Sequence, residues 1–156
     1  NTLFSTSQTI EQHVIESDLV IGAILVPGAA ACKLVKRTLL KKMKPNSVLV
    51  DVAIDQGGCF ETSRPTTHTN PTFRIDNIIH YCVANMPGAV ARTSTFALTN
   101  ATLPFISEVA TSGIYALRKN HHLLAGLNIH KGSVTCKAVS ETLGCDYLAP
   151  EDALSD

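Results

Sequence analysis

Two carboxylates close an apolar run, Asp51 and Asp55 in Ser47-Val-Leu-Val-Asp-Val-Ala-Ile-Asp. The run reads as a buried strand, so both acids fall at its carboxyl end or just past it. Open α/β sheets bind ligands outside the carboxyl ends of their strands, and a carboxylate held there can move a proton. Gln56-Gly57-Gly58 follows, and its glycines let the backbone approach a ligand closely. Each acid also has a plainer reading, in which Asp51 caps a turn and Asp55 is simply solvated. A second strand end carries Ile24-Leu25-Val26-Pro27-Gly28-Ala29. An apolar turn there can lie against a planar ring, or it is only a tight strand-to-helix connection.

The loop from Thr62 to His68 holds two further candidates. The guanidinium fork of Arg64 suits a phosphate or carboxylate, and the His68 imidazole could serve as an acid or base; each is otherwise an ordinary surface residue. His80 falls within a strand and reads as structural, while His13 and His130 are isolated. His121 and His122 are adjacent and so do not share a helix face. No HxxxH, HExxH or carboxylate cluster suggests a metal site. Cys59 has no neighbouring activator and reads as inert. Ser94 and Thr95 have no adjacent base, and GxSxG is absent. So are GxGxxG and GxxxxGK[ST], the usual phosphate cradles.

The elements that must position these residues follow from the hydrophobic pattern. The chain has 156 residues, formal net charge 0 and 45% hydrophobic residues. That suits one globular domain or two small lobes, and it lacks the basic excess of a nucleic-acid binder. No run reaches the roughly 20 apolar residues of a membrane span. No signal peptide is recognisable, and Asn1 is not an initiator Met, so a processed or cut chain is expected. Five cysteines without a CxxC point to free thiols in a reducing cytosol.

Thr6 to Glu16 reads as a short helix with a Thr9–Gln12 capping box. Asp18–Ile24 and Ser47–Ala53 read as buried strands joined by a helix from Ala30 to Met43, whose lysines favour its carboxyl end. Gln56 to Pro71 reads as a loop and Asn77–Val83 as a third strand. The first two strands form a parallel pair with a right-handed crossover, covered on both faces. Helices are expected over 93–111, 116–125 and 134–143, with Gly113, Gly126 and Gly144 as stops and Pro104 as an interruption. The tail from Glu151 is expected to fray. Three strands are too few for a doubly wound domain of about six. Another chain, or residues preceding Asn1, is expected to complete the sheet.

A long stretch of this sequence resembles one family, L-alanine dehydrogenase. The resemblance runs through Asp18-Leu-Val-Ile-Gly-Ala-Ile-Leu-Val-Pro-Gly-Ala, Met43-Lys-Pro and Val50-Asp-Val-Ala-Ile-Asp-Gln-Gly-Gly-Cys-Phe-Glu-Thr-Ser-Arg-Pro-Thr-Thr-His. It continues in His80-Tyr-Cys-Val-Ala-Asn-Met-Pro-Gly-Ala-Val and Arg92-Thr-Ser-Thr-Phe-Ala-Leu-Thr-Asn-Ala-Thr. Leu124-Ala-Gly-Leu-Asn and the C-terminal helix also look like the family. The NAD-binding subunit of proton-translocating transhydrogenase is similar and shares the Pro-Gly turn and Gln-Gly-Gly. It is expected to carry Glu where this chain has Asp55-Gln56 and to lack Cys59-Phe60-Glu61, so these residues favour alanine dehydrogenase.

The resemblance implies the back half of a Rossmann-like doubly wound parallel sheet, residues 1–86, followed by returning helices of a substrate-binding lobe, residues 87–156. It implies NAD as cofactor and reversible oxidative deamination of L-alanine to pyruvate and ammonia. Asp55 would be one of two catalytic acid/base residues. The other, a His, and the substrate-carboxylate Arg and catalytic Lys, belong to the N-terminal lobe and not to this chain. Ser5 would contact the adenosine side of NAD, and Ile24 and Leu25 would line the cofactor cleft. Val52, Ala53, Ile54 and Asp55 would border the nicotinamide ribose, and Arg64 would reach the cofactor. Val83, Ala84, Asn85 and Met86 would form the floor beside the nicotinamide. The family implies a cytoplasmic homo-oligomer, commonly a hexamer, with no nucleic-acid or membrane partner. The isolated 156 residues are expected to be inactive. A non-catalytic module that needs a partner chain is the competing expectation, and a transhydrogenase-type NAD-binding subunit is another.

Overall fold

The computed structural model describes residues 1–26 and 30–155. They form two compact units, one of residues 1–26 with 30–89 and one from Val90 onward.

The first unit is built on a mixed sheet. Helix α1 (Ser7–Glu16) leads into strand β1 (Leu19–Gly22), helix α2 (Arg37–Leu40) and strand β2 (Val48–Asp51). Strands β3 (Thr72–Ile75) and β4 (Ile78–Tyr81) follow. The spatial order is β1-β2-β4-β3. β1, β2 and β4 are parallel, with Leu19 opposite Val48 and Val48 opposite Ile79. β3 joins antiparallel, with Phe73 opposite His80. The three parallel strands therefore present their carboxyl ends, and the segments after Gly22, Asp51 and Tyr81, at one edge. Beneath them Leu40, Leu49, Phe60 and Ile78 form a core with Val14, Val35 and Met43.

Several expectations change here. β3 makes a fourth strand, because Asp76 and Asn77 both take positive φ, 49° and 65°, and turn the chain back as a tight hairpin. The helix expected over 30–43 shrinks to α2. Its first part instead bonds an irregular partner, Ala31 N–H to Gln56 O and Leu34 N–H to Cys59 O, both 2.9 Å. Glu61 Oε2 then accepts from Arg37 N–H at 2.6 Å and so starts α2. The capping box of α1 is Thr6 with Thr9, not Thr9 with Gln12. β1 is not covered on both faces: Leu19 is 53% and Ile21 62% exposed.

The second unit is helical. Helix α3 (Ala91–Ser112) contains Pro104 without ending there, and Gly113 follows it. Helices α4 (Ile114–Lys119) and α5 (His121–Ala125) replace the single helix expected over 116–125, because Asn120 breaks the run and caps α5 at His122 N–H. A small hairpin, β5 (Ile129–His130) with β6 (Ser133–Val134), occupies the start of the helix expected from Val134. Helix α6 (Lys137–Leu143) ends at Gly144, which is left-handed. Through Leu154 the tail does not fray. Helix α7 (Pro150–Ala153) buries Ala153 and Leu154, and the Arg118 guanidinium donates to Leu154 O.

Candidate functional site

The site grows from the end of β2. Strand parity puts Leu49 and Asp51 on the same, buried face. A charge at 0% exposure must be satisfied by donors, and five groups converge on it. Ala53 N–H (3.1 Å) and the Cys59 thiol (3.4 Å) donate to Oδ1. Cys59 N–H (2.9 Å), Phe60 N–H (3.3 Å) and the Ser63 hydroxyl donate to Oδ2. Hydrogen bonds to a charged group are worth about 1.5–3 kcal/mol each. The carboxylate thereby starts the 3-10 helix Val52–Gln56 and anchors the loop that carries Arg64. Asp51 is thus a clamp, the turn-capping alternative.

Asp55 has the opposite setting. It sits exposed on the 3-10 helix. Gly57 ends that helix at φ 90°, a conformation side chains disfavour. Ala23, Ile24, Leu25, Val52, Ala53, Asp55 and Gln56 line one cleft of about 220 Å³ at the carboxyl ends of β1 and β2. Its walls are mainly apolar and its single carboxylate stands at the rim. Ile54 turns inward and is buried. The Lys33 ammonium donates to Gly58 O at 2.8 Å and also to Gly57 O, holding the loop beyond Asp55. Of the turn Ile24–Ala29, residues Pro27, Gly28 and Ala29 lie outside the described residues.

Backbone pairing connects the remaining candidates. Thr66 N–H donates to Cys82 O at 2.9 Å, and Ala84 N–H to Thr66 O at 3.3 Å. His68 Nε2 lies 3.1 Å from Asn85 O. The Arg64 loop therefore runs beside Val83–Met86, the segment that leaves β4. Val83 is buried, Ala84 and Met86 less so, and Asn85 has φ 55°. Ser5 is elsewhere, in a groove of about 390 Å³ with Phe4, His13, Leu19 and Ile21.

Burial also decides which titratable groups are quiet. Cys59 is pushed up to about 12, by burial first and then by the negative charge of Asp51. Burial raises Cys82 as well, so neither thiol is a nucleophile. Burial holds His80 below its ordinary value, which favours the neutral ring. The sequence did not single out Ser63 or Lys33 as parts of the site. Their roles arise from non-local partners, and no local motif marks them.

The features fit one end of a dinucleotide. An apolar slot at the carboxyl ends of parallel strands, with a carboxylate at its rim, has the shape and lining to take a planar ring. No glycine-rich phosphate cradle occurs in the sequence.

Comparison with known proteins agrees in kind. A relative from Halomonas elongata named alanine dehydrogenase is 63% identical over 94% of this chain and 40% of its own length. One from Mycobacterium tuberculosis with the same name is 50% identical over 99% of this chain and 42% of its own length. The chain thus spans about two fifths of the curated relatives it matches. A solved L-alanine dehydrogenase superposes with TM-score 0.74 at 47% identity, covering 90% of this chain and 39% of that one. A transhydrogenase from Sinorhizobium meliloti gives 0.52 at 29% identity, over 58% of this chain and 25% of its own. The family model described as alanine dehydrogenase/PNT, C-terminal domain, matches residues 1–137, and to that family this chain belongs.

Proposed function

We propose that the chain is the C-terminal part of an NAD-dependent alanine dehydrogenase. In that role it contributes the nicotinamide end of the cofactor site and one acid/base group for reversible deamination of L-alanine to pyruvate and ammonia. The observation that carries this reading is Asp55, exposed at the rim of an apolar cleft at the strand ends. NAD supplies the hydride acceptor when bound. Ile24, Leu25, Val52 and Ala53 exclude water around its ring and ribose, and Ile54 supports them from beneath. Asp55 carries a proton to and from the reacting substrate. Arg64 holds the cofactor by charge, and Val83, Ala84, Asn85 and Met86 floor the site. Ser5 contacts the adenosine side. Asp55 and the run Cys59–Glu61 favour this reading over a transhydrogenase-type subunit. The run has defined places: Cys59 and Phe60 are buried, and Glu61 starts α2.

The 156 residues need the rest of the protein for turnover. The phosphate cradle, the second acid/base residue and the substrate-carboxylate Arg are assigned to the N-terminal part, and the whole to a cytoplasmic homo-oligomer, a hexamer. Among the described residues no helix is long and apolar enough to cross a membrane. The test is NADH formation with alanine. The full-length protein should produce NADH and the isolated chain should not. Failure of the full-length protein would refute the reading. Production by the isolated chain, free of full-length enzyme, would refute the division of the site.

A further inference from the structure

Arg64 is exposed on its loop, and no carboxylate among the described residues pairs with it. A long side chain so placed needs something to aim it. Its guanidinium carbon lies 4.3 Å from the centroid of the Phe73 ring, within cation–π range. Phe73 stands on β3, the antiparallel strand, and is half-buried. Its ring stacks on His80 directly across the ladder, at 4.8 Å and 17°. His80 cannot shift easily. It is 0% exposed. Its Nδ1 lies 3.2 Å from Ile78 O, so Nδ1 carries the proton and donates. Its Nε2 is then free to accept from the Thr62 hydroxyl at 2.7 Å. Thr62 precedes Arg64 by two residues. The set closes on itself: the loop fixes the imidazole, the imidazole backs the phenyl ring, and the ring carries the guanidinium.

We propose that Phe73 is a positioning residue for the cofactor, its ring holding the Arg64 guanidinium in the orientation that meets a nicotinamide dinucleotide. This rests on the reading of Arg64 as a cofactor contact. Phe73 touches no cofactor itself, so its loss should weaken binding through Arg64 alone. β3 then has a use beyond closing the sheet.

The experiment is a double-mutant cycle on the full-length protein, with Phe73→Leu, Arg64→Ala and the pair. The readouts are the Kd for NADH, kcat and the thermal midpoint. Arg64→Ala should weaken NADH binding about tenfold or more, as for a lost hydrogen bond between charged groups. Phe73→Leu should weaken it about two- to fivefold, the scale of an exposed cation–π contact. That loss should fall on KM for NAD and not on kcat. In the Arg64→Ala background the same leucine should cost nothing more. Phe73→Tyr, which keeps the ring, should restore binding. If leucine unsettles the fold, Phe73→Ile suits the edge strand and asks the same question. A leucine effect of equal size with and without Arg64, or no effect where Arg64→Ala has one, overturns the proposal. No effect of Arg64→Ala itself overturns the reading of Arg64, and the proposal with it.

Discussion

The buried floor beneath the strand-end segments and the exposed rim above it come from one stretch of chain, residues 51–82, yet their physics is opposite. Below lie Asp51, Cys59, His80 and Cys82, all buried. Above lie Asp55 and Arg64, exposed. The two aspartates show the difference most sharply. Asp51 gathers five donors and has no freedom. Asp55 rides on the helix that Asp51 starts, open to whatever enters the cleft. A group that moves protons needs access and a pKa it can cross, and a group that holds a loop needs neither. The floor should therefore govern stability and the rim function, Asp55 through turnover and Arg64 through cofactor binding.

That contrast can be broken in several ways. The largest effect should come from Asp51→Asn. Its amide NH2 would face at least one backbone N–H, of Ala53 or of Cys59 and Phe60. A buried donor left without an acceptor costs about 1–3 kcal/mol, so denaturant unfolding should show a loss of about 3 kcal/mol. Ser63→Ala removes one donor and keeps the carboxylate buried. It should cost about 2 kcal/mol in the same measurement.

Acid and alkali probe the floor without mutation. The folded His80 lies below its ordinary value of 6.5, so the unfolded chain binds the proton more readily. Stability should be full above that value and fall as pH drops below it. The folded Cys59 lies at about 12 against an ordinary 9.0. Its contribution should be full below 9.0 and lost as pH rises from 9.0 toward 12. Urea midpoints at pH 5, 7 and 10 would check both directions; a flat profile would mean these groups are not held as described. The smallest effect is on reactivity. Exposed Cys32 and Cys145 should alkylate in the native protein, whereas Cys59 and Cys82 should react only after unfolding, as mass spectrometry of labelled peptides would show.

Much of the frame is legible in the sequence, for reasons that also explain the misses. β1, β2 and β4 lie in apolar runs rich in β-branched residues, and their parallel pairing matches an α/β winding. β3 hides behind Pro71, and its signal lies in the Asp76-Asn77 turn. The helix expected over 30–43 is too long because residues 31–35 pair with the loop 56–61, a contact that no local period reveals. Both aspartates are legible as strand-end acids. The burial of Asp51 follows from strand parity, since it is two residues from fully buried Leu49, whereas Asp55 has the same parity and is exposed because the strand has ended and a 3-10 helix carries it. The second unit is legible as helices but not as packing. α3 keeps Phe96, Leu98, Phe105 and Ile106 exposed, so its period shows an element without showing what it meets.

The most direct test is Asp55→Asn in the full-length protein, with kcat for alanine oxidation and the Kd for NADH measured on the same preparation. Loss of a positioned acid/base group costs about 10²–10⁴-fold in rate. The account predicts a fall in kcat of that size, NADH affinity within about twofold and an unchanged unfolding midpoint, since an exposed substitution shifts stability by no more than about 0.5 kcal/mol. Unchanged turnover with weakened NADH binding would contradict it and would reduce Asp55 to a residue that merely seats the cofactor.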